Sequence, residues 1–174
     1  MKPMRVGVVA VALCAIAFGC DPSPVGVDLP TPGVQASLLE PPHKLGFMPC
    51  AALTSVSVTQ VIGRKGGSLK VGPHTFEVPP GALAHAVSIT AEIDGDDAYN
   101  QVRFYPHGLK FRAPAYLTMS YANCDVGDGS RLAYLQIVYK HGHQIVEYEP
   151  SVRDLARQTV TGEISHFSGY AVAW

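Results

Sequence analysis

Apolar and polar residues alternate in short runs from Ser55 to the last residue, and glycine, proline, asparagine or aspartate separates one run from the next. "TSVSVTQVI" alternates at Val56 and Val58, "GGSLKV" and "HTFEV" make short strands, and "AVSITAEI" sets Val87, Ile89, Ala91 and Ile93 on one face. Further runs follow in "QVRFY", "AYLTMSY", "RLAYLQIVYK", "HQIVEYE" and the terminal "SGYAVAW". A period of two dominates, and no helical period persists for ten residues. "VGDGSR" and "YKHGHQ" carry turn chemistry, with glycine supplying positive φ. About nine short strands in some 125 residues predict an all-β fold, a two-sheet β-sandwich spanning residues 50–174. No internal repeat is visible.

The texture before Cys50 is different. Lys2 and Arg5 precede an apolar or small stretch from Val6 to Phe18, and "FGCD" follows. This is the pattern of a secretion signal, here residues 1–19. An uncleaved membrane anchor needs about 20 apolar residues, and the polar, proline-bearing chain after Asp21 ends the run sooner. "IAFGCD" resembles a bacterial lipobox, which implies that Cys20 becomes the first residue and carries lipid. Ala17 stands where leucine is commoner and Phe18 is bulky for its place, so cleavage without lipid is the alternative. Seven of the fourteen prolines fall between Asp21 and Pro49. Proline at that density prevents helix and sheet, so residues 20–49 are expected to form an extended Pro-rich stalk. The implied location is the bacterial cell envelope, with an exported domain tethered to a membrane rather than spanning it.

With 174 residues, 47% hydrophobic and 16% charged, the chain has room for one domain plus appendages. Without Lys2 and Arg5 it keeps eleven basic residues against fourteen acidic ones, which excludes a nucleic-acid surface. Of the four cysteines, Cys14 lies in the signal and Cys20 takes the lipid. Cys50 and Cys124 remain, and export makes a disulfide the default. Closing a loop of about 75 residues stabilises a fold by roughly 4 kcal/mol at most. Neither cysteine belongs to a Cys-x-x-Cys, so a metal site is the weaker reading.

Two segments, "GGSLKVGPHTFEVPPGALAHAVSITAEI" and "YPHGLKFRAPAYLTMSY", together with the ending "HFSGYAV", resemble the ZU-five domain. That β-sandwich module is named for zonula occludens proteins and the Unc-five netrin receptors and is found also in ankyrins. The resemblance covers about Ser55 to Trp174. It implies a protein-interaction or structural domain, because most family members serve as interaction modules. The residues make physical sense on their own terms. Pro79-Pro80 must end a strand, Gly81 relaxes the turn so that Leu83 can return to the core, and Gly108 allows a turn that presents Phe111 inward.

The resemblance also suggests chemistry, because certain members with this ending cleave themselves between phenylalanine and serine. Here the Ser168 hydroxyl would attack the Phe167 carbonyl, with His166 carrying the proton. Such a cut needs a strained peptide and would release only Ser168 to Trp174, so the ending is expected to be a closing strand, with Phe167 in the core and Gly169 as a bulge. Other groups are thinner. Asp94, Asp96 and Asp97 in "EIDGDDAYN" lack the remaining ligands of a calcium loop. His141 and His143 flank a glycine at a hairpin tip without an evident third ligand. Glu147, Glu149 and Glu163 lie on or near different strands, which leaves a carbohydrate-acting enzyme without a placed acid pair. No phosphate loop, nucleophile elbow or zinc signature is present. The expectation is therefore a binding or structural module without catalytic activity, metal or cofactor, whose partner is another envelope or extracellular protein. The tyrosines at 99, 105, 116, 121, 134, 139, 148 and 170 would supply its surface patch.

Overall fold

The computed structural model describes residues 46–174. The expected signal peptide, Cys20 and the stalk as far as residue 45 lie outside the described residues. Eleven strands follow in order: β1 (Val56–Ile62), β2 (Gly67–Val71), β3 (His74–Val78), β4 (Val87–Ile93), β5 (Gln101–Tyr105), β6 (Lys110–Ser120), β7 (Gln136–His141), β8 (Gln144–Tyr148), β9 (Ser151–Asp154), β10 (Thr159–His166) and β11 (Gly169–Ala173). They form two antiparallel sheets, a six-stranded one ordered β1-β4-β5-β11-β7-β8 and a five-stranded one ordered β2-β3-β6-β10-β9. The fold is an all-β sandwich. Among the described residues no helix is long and apolar enough to cross a membrane.

Alternation places the core. Ile89, Ala91 and Ile93 of β4, Val102 and Phe104 of β5, Ala115, Leu117 and Met119 of β6, and Val160 and Ile164 of β10 point into one buried layer. Between them lies a ring cluster in which Phe167 meets Phe76 at 5.4 Å, Phe104 at 5.1 Å and Phe111 at 5.1 Å. Such pairs add to the area they bury.

β9 and β10 are strands beyond the runs that alternation predicts. In β10 the inward sequence is Val160, Gly162, Ile164, and the glycine breaks the apolar rhythm. The reason is steric: a Cβ on Gly162 would sit 2.9 Å from Cβ of Ile137 in the facing sheet. "RLAY" is not strand but a 3-10 turn over Ser130–Tyr134, with β7 starting only at Gln136.

The punctuation read from sequence acts as a unit. β3 stops at Val78 before Pro79, and Gly66, at φ +74°, lies under the same bend; a Cβ there would come within 2.3 Å of the Val78 carbonyl oxygen. Leu83 is buried. Residues 46–49, assigned by composition to the stalk, are attached to the sandwich. Phe47 bridges Ala173, the Met48 N–H donates to the Val172 carbonyl (3.0 Å), and the Trp174 N–H donates to the Gly46 carbonyl (3.1 Å). Cys50 and Cys124 are joined by a disulfide. Beside it Asn100 and Asn123 exchange side-chain amide hydrogen bonds (2.8 and 3.0 Å).

Candidate functional site

The His166-Phe167-Ser168 stretch is a crossover between sheets, not the interior of a closing strand. β10 ends at His166 in the five-stranded sheet, and β11 begins at Gly169 in the six-stranded one. Every carbonyl of the crossover is held. Tyr170 O–H donates to the His166 carbonyl (2.5 Å), Gly108 N–H to that of Phe167 (3.1 Å) and Phe104 N–H to that of Ser168 (3.0 Å). The Phe167 N–H donates in turn to the Leu109 carbonyl (2.8 Å). His166 Nδ1 lies 3.3 Å from the hydroxyl of Ser165, and its ring stands edge-on to Tyr139 at 5.0 Å. Burial pushes the Tyr170 phenol far up, with Glu149 adding to the effect.

A cleft of about 630 Å³ opens beside this crossover. Its floor follows from register: Gly169 of β11 pairs with Arg103 of β5 on one side and Lys140 of β7 on the other. Val102, Phe104 and Tyr170 take the inner face, so Arg103, Gly169 and Lys140 form a row on the outer face of the six-stranded sheet. The cleft is further lined by His166, Phe167 and Ser168, by His141 at the end of β7 and His143 of the β7–β8 turn, and by Asp94 and Asp97 of the β4–β5 loop. Three groups that sequence reading treats separately therefore share one concavity.

The electrostatics centre on Lys140, which is only 8% exposed. Its ammonium donates to the Tyr99 hydroxyl (2.8 Å) and to Gln101 Oε1, and it lies 4.8 Å from the Tyr99 ring centroid and 5.8 Å from that of Phe47. Those rings stack at 4.3 Å, and with Ile145 and Tyr148 they pack against Val138, Ala171 and Ala173 in a second apolar cluster. Burial holds the Lys140 ammonium below the usual lysine range, while Asp97 acts at longer range in the opposite direction. Arg103 pairs with Asp94 at 3.0 Å, and this hydrogen bond keeps the carboxyl below its ordinary value.

The remaining candidates are dispersed or already engaged. Asp96 does not line the cleft, and the His143 ring meets the Tyr99 hydroxyl at 3.3 Å. Among the described residues no group of three or more His, Cys, Asp or Glu side chains could hold a metal ion. Glu147 and Glu163 are exposed on different sheets, Glu149 is buried at the β8–β9 corner, and none of the three lines the cleft. Burial, reinforced by Glu147, raises Glu149 to about 7. Of the eight tyrosines, Tyr121 and Tyr170 are buried, Tyr99, Tyr105, Tyr139 and Tyr148 are half-buried, and Tyr116 and Tyr134 are exposed.

Lys140, Arg103 and Gln101 are cleft residues that sequence reasoning missed. One signal was present, because "GYAVAW" is apolar without alternation, as strands covered on both faces are. No protein-family model matches the chain, and no curated protein matches it in sequence.

Proposed function

We propose that the chain is an exported, lipid-anchored domain of a bacterial envelope, of ZU-five type, that binds a partner through the cleft over β5, β11 and β7 without covalent chemistry. The convergence of Asp94 and Asp97 with residues 141–143 and 166–168 on one concavity carries this reading. Loops gathered on a rigid sheet are the usual place for recognition. Binding is favoured over catalysis because the groups present are already committed: Asp94 to Arg103, His166 to Ser165 and Tyr139, and the Phe167 carbonyl to Gly108. The ZU-five reading rests on the order of the segments at residues 66–93, 105–121 and 166–172, and the anchor on "IAFGCD" and the prolines after it.

The test is cross-linking capture from envelope extract, comparing the unaltered protein with a His141→Ala/His143→Ala variant. A partner lost at least tenfold with the variant supports the reading, and equal recovery sinks it. Cys20→Ser should move the protein from the membrane to the soluble fraction.

Self-cleavage is the second reading, because His166 and Ser168 line the same cleft. Intact mass decides between them. One species ending at Trp174 supports the binding module; loss of the Ser168–Trp174 peptide, abolished by Ser168→Ala, replaces it.

A further inference from the structure

We propose that the cleft takes an oxyanion, the carboxylate or phosphate of a small polar ligand, held between Lys140 and Arg103 above Gly169. The proposal rests on the reading that this cleft is the binding surface, and it names the chemistry of what binds there.

Lys140 is the main argument. An ammonium has three donors, and here two are taken by neutral acceptors, Tyr99 and Gln101. Among the described residues no carboxylate forms an ion pair with it. Burying a cation without a counter-charge is costly, and its lowered proton affinity, caused first by burial, reflects that cost. Asp97 acts only at a distance, and Asp94 is engaged by Arg103. An anion entering the cleft would supply the missing charge and accept the third donor.

Shape agrees with charge. Arg103 and Lys140 flank Gly169 across two strand spacings, so their backbones stand about 10 Å apart. A Cβ at Gly169 would lie 3.5 Å from Cγ of Lys140 and 3.9 Å from Cγ of Arg103, so the absent side chain leaves a pit between the two stems. The guanidinium has five donors and gives one of them to Asp94. The remainder can meet a ligand oxygen, and charge-assisted bonds of this kind are the strong ones.

The experiment is calorimetric titration of the full chain with sodium phosphate and, separately, sodium glucuronate at constant ionic strength. Saturable one-site binding is expected. It should weaken at least tenfold in Lys140→Gln and be unchanged in Lys70→Gln on the other sheet. Binding of phosphate alone points to a phosphoryl group, and binding of glucuronate alone to a carboxylated sugar. No saturable binding of either, or equal binding by Lys140→Gln, overturns the proposal. Should Lys140→Gln fail to fold, the Cε resonance of Lys140 in unaltered protein must shift on addition of the anion, and a static resonance overturns it. If no anion binds while partner capture still depends on His141 and His143, the oxyanion falls and the binding cleft stands. If capture ignores those histidines as well, both fall.

Discussion

The inward face of β11 carries Tyr170 and Val172, with Trp174 just beyond the strand, whereas its outward face carries Gly169, Ala171 and Ala173. All six are buried or nearly so, yet the two faces are filled on opposite terms. Inside, volume does the filling, with large side chains meeting the phenylalanine cluster. Outside, smallness lets other parts of the chain come close, so that Phe47 and Tyr99 lie on the sheet and a pit remains at Gly169. The inner face is where stability should reside and the outer face where a ligand should be felt.

The sharpest way to break this contrast is on the inner side. Phe167→Ala removes the ring shared by three other phenylalanines and should cost about 4 kcal/mol in urea unfolding. A loss under about 1 kcal/mol would mean that the cluster does not dominate the inner layer.

The second test uses pH. His74 is fully buried on the inner face of β3, with Nδ1 accepting the Ser120 N–H (3.1 Å) and Nε2 without a hydrogen-bond partner among the described residues; burial lowers it to about 4. Its stability contribution is present above 6.5 and is lost as pH falls through about 4. Glu149, raised to about 7, has the opposite sign: its contribution is full below 4.5 and is lost as pH rises through about 7. The two offset each other over the shared window, so unaltered protein should unfold at nearly constant urea concentration between pH 4.5 and 6.5. Glu149→Gln should expose a fall of up to about 3 kcal/mol on acidification. A flat profile in that variant would show that His74 titrates normally.

Gly162→Ala comes next. It places a methyl against Ile137 between the sheets and should cost about 2 kcal/mol through overpacking. Its outer counterpart is the smallest effect. Gly169→Ala meets only ordinary contacts, so its unfolding free energy should change by less than about 1 kcal/mol while oxyanion binding weakens. If Gly169→Ala were the more destabilising of the two, the contrast between faces would be reversed.

What could be read in advance divides along the same line. β4 was legible because Val87, Ile89, Ala91 and Ile93 alternate on a sheet with one face in the core, and the disulfide because the signal and lipobox expected at Cys14 and Cys20 leave Cys50 and Cys124 as a pair. The crossover at Phe167 was hidden because a buried residue between two half-buried ones reads as continued strand; only the pairing of His166 with Lys110 and of Gly169 with Arg103 and Lys140 reveals the change of sheet. β10 was hidden by Gly162, whose reason lies in Ile137 of another strand. Lys140 was hidden because a lysine at an alternating position reads as solvent-facing. It is buried by Tyr99, about 40 residues away, and by Phe47, more than 90 away, and no local pattern carries that information.

The pairing of Phe47 with Ala173 also fixes how the domain would bear a mechanical load. Tension arriving from the N-terminal side meets the Met48–Val172 and Gly46–Trp174 hydrogen bonds on β11, the strand that also contributes Gly169 to the cleft floor. A ligand gripped at that floor and a pull from the N-terminal side would therefore act at two ends of one five-residue strand. Such a load would be expected to meet β11 first, with the Cys50–Cys124 bond as a covalent stop immediately behind it, before it reached the phenylalanine cluster. A domain held in this way could be pulled on from residue 46 without its inner layer being asked to open.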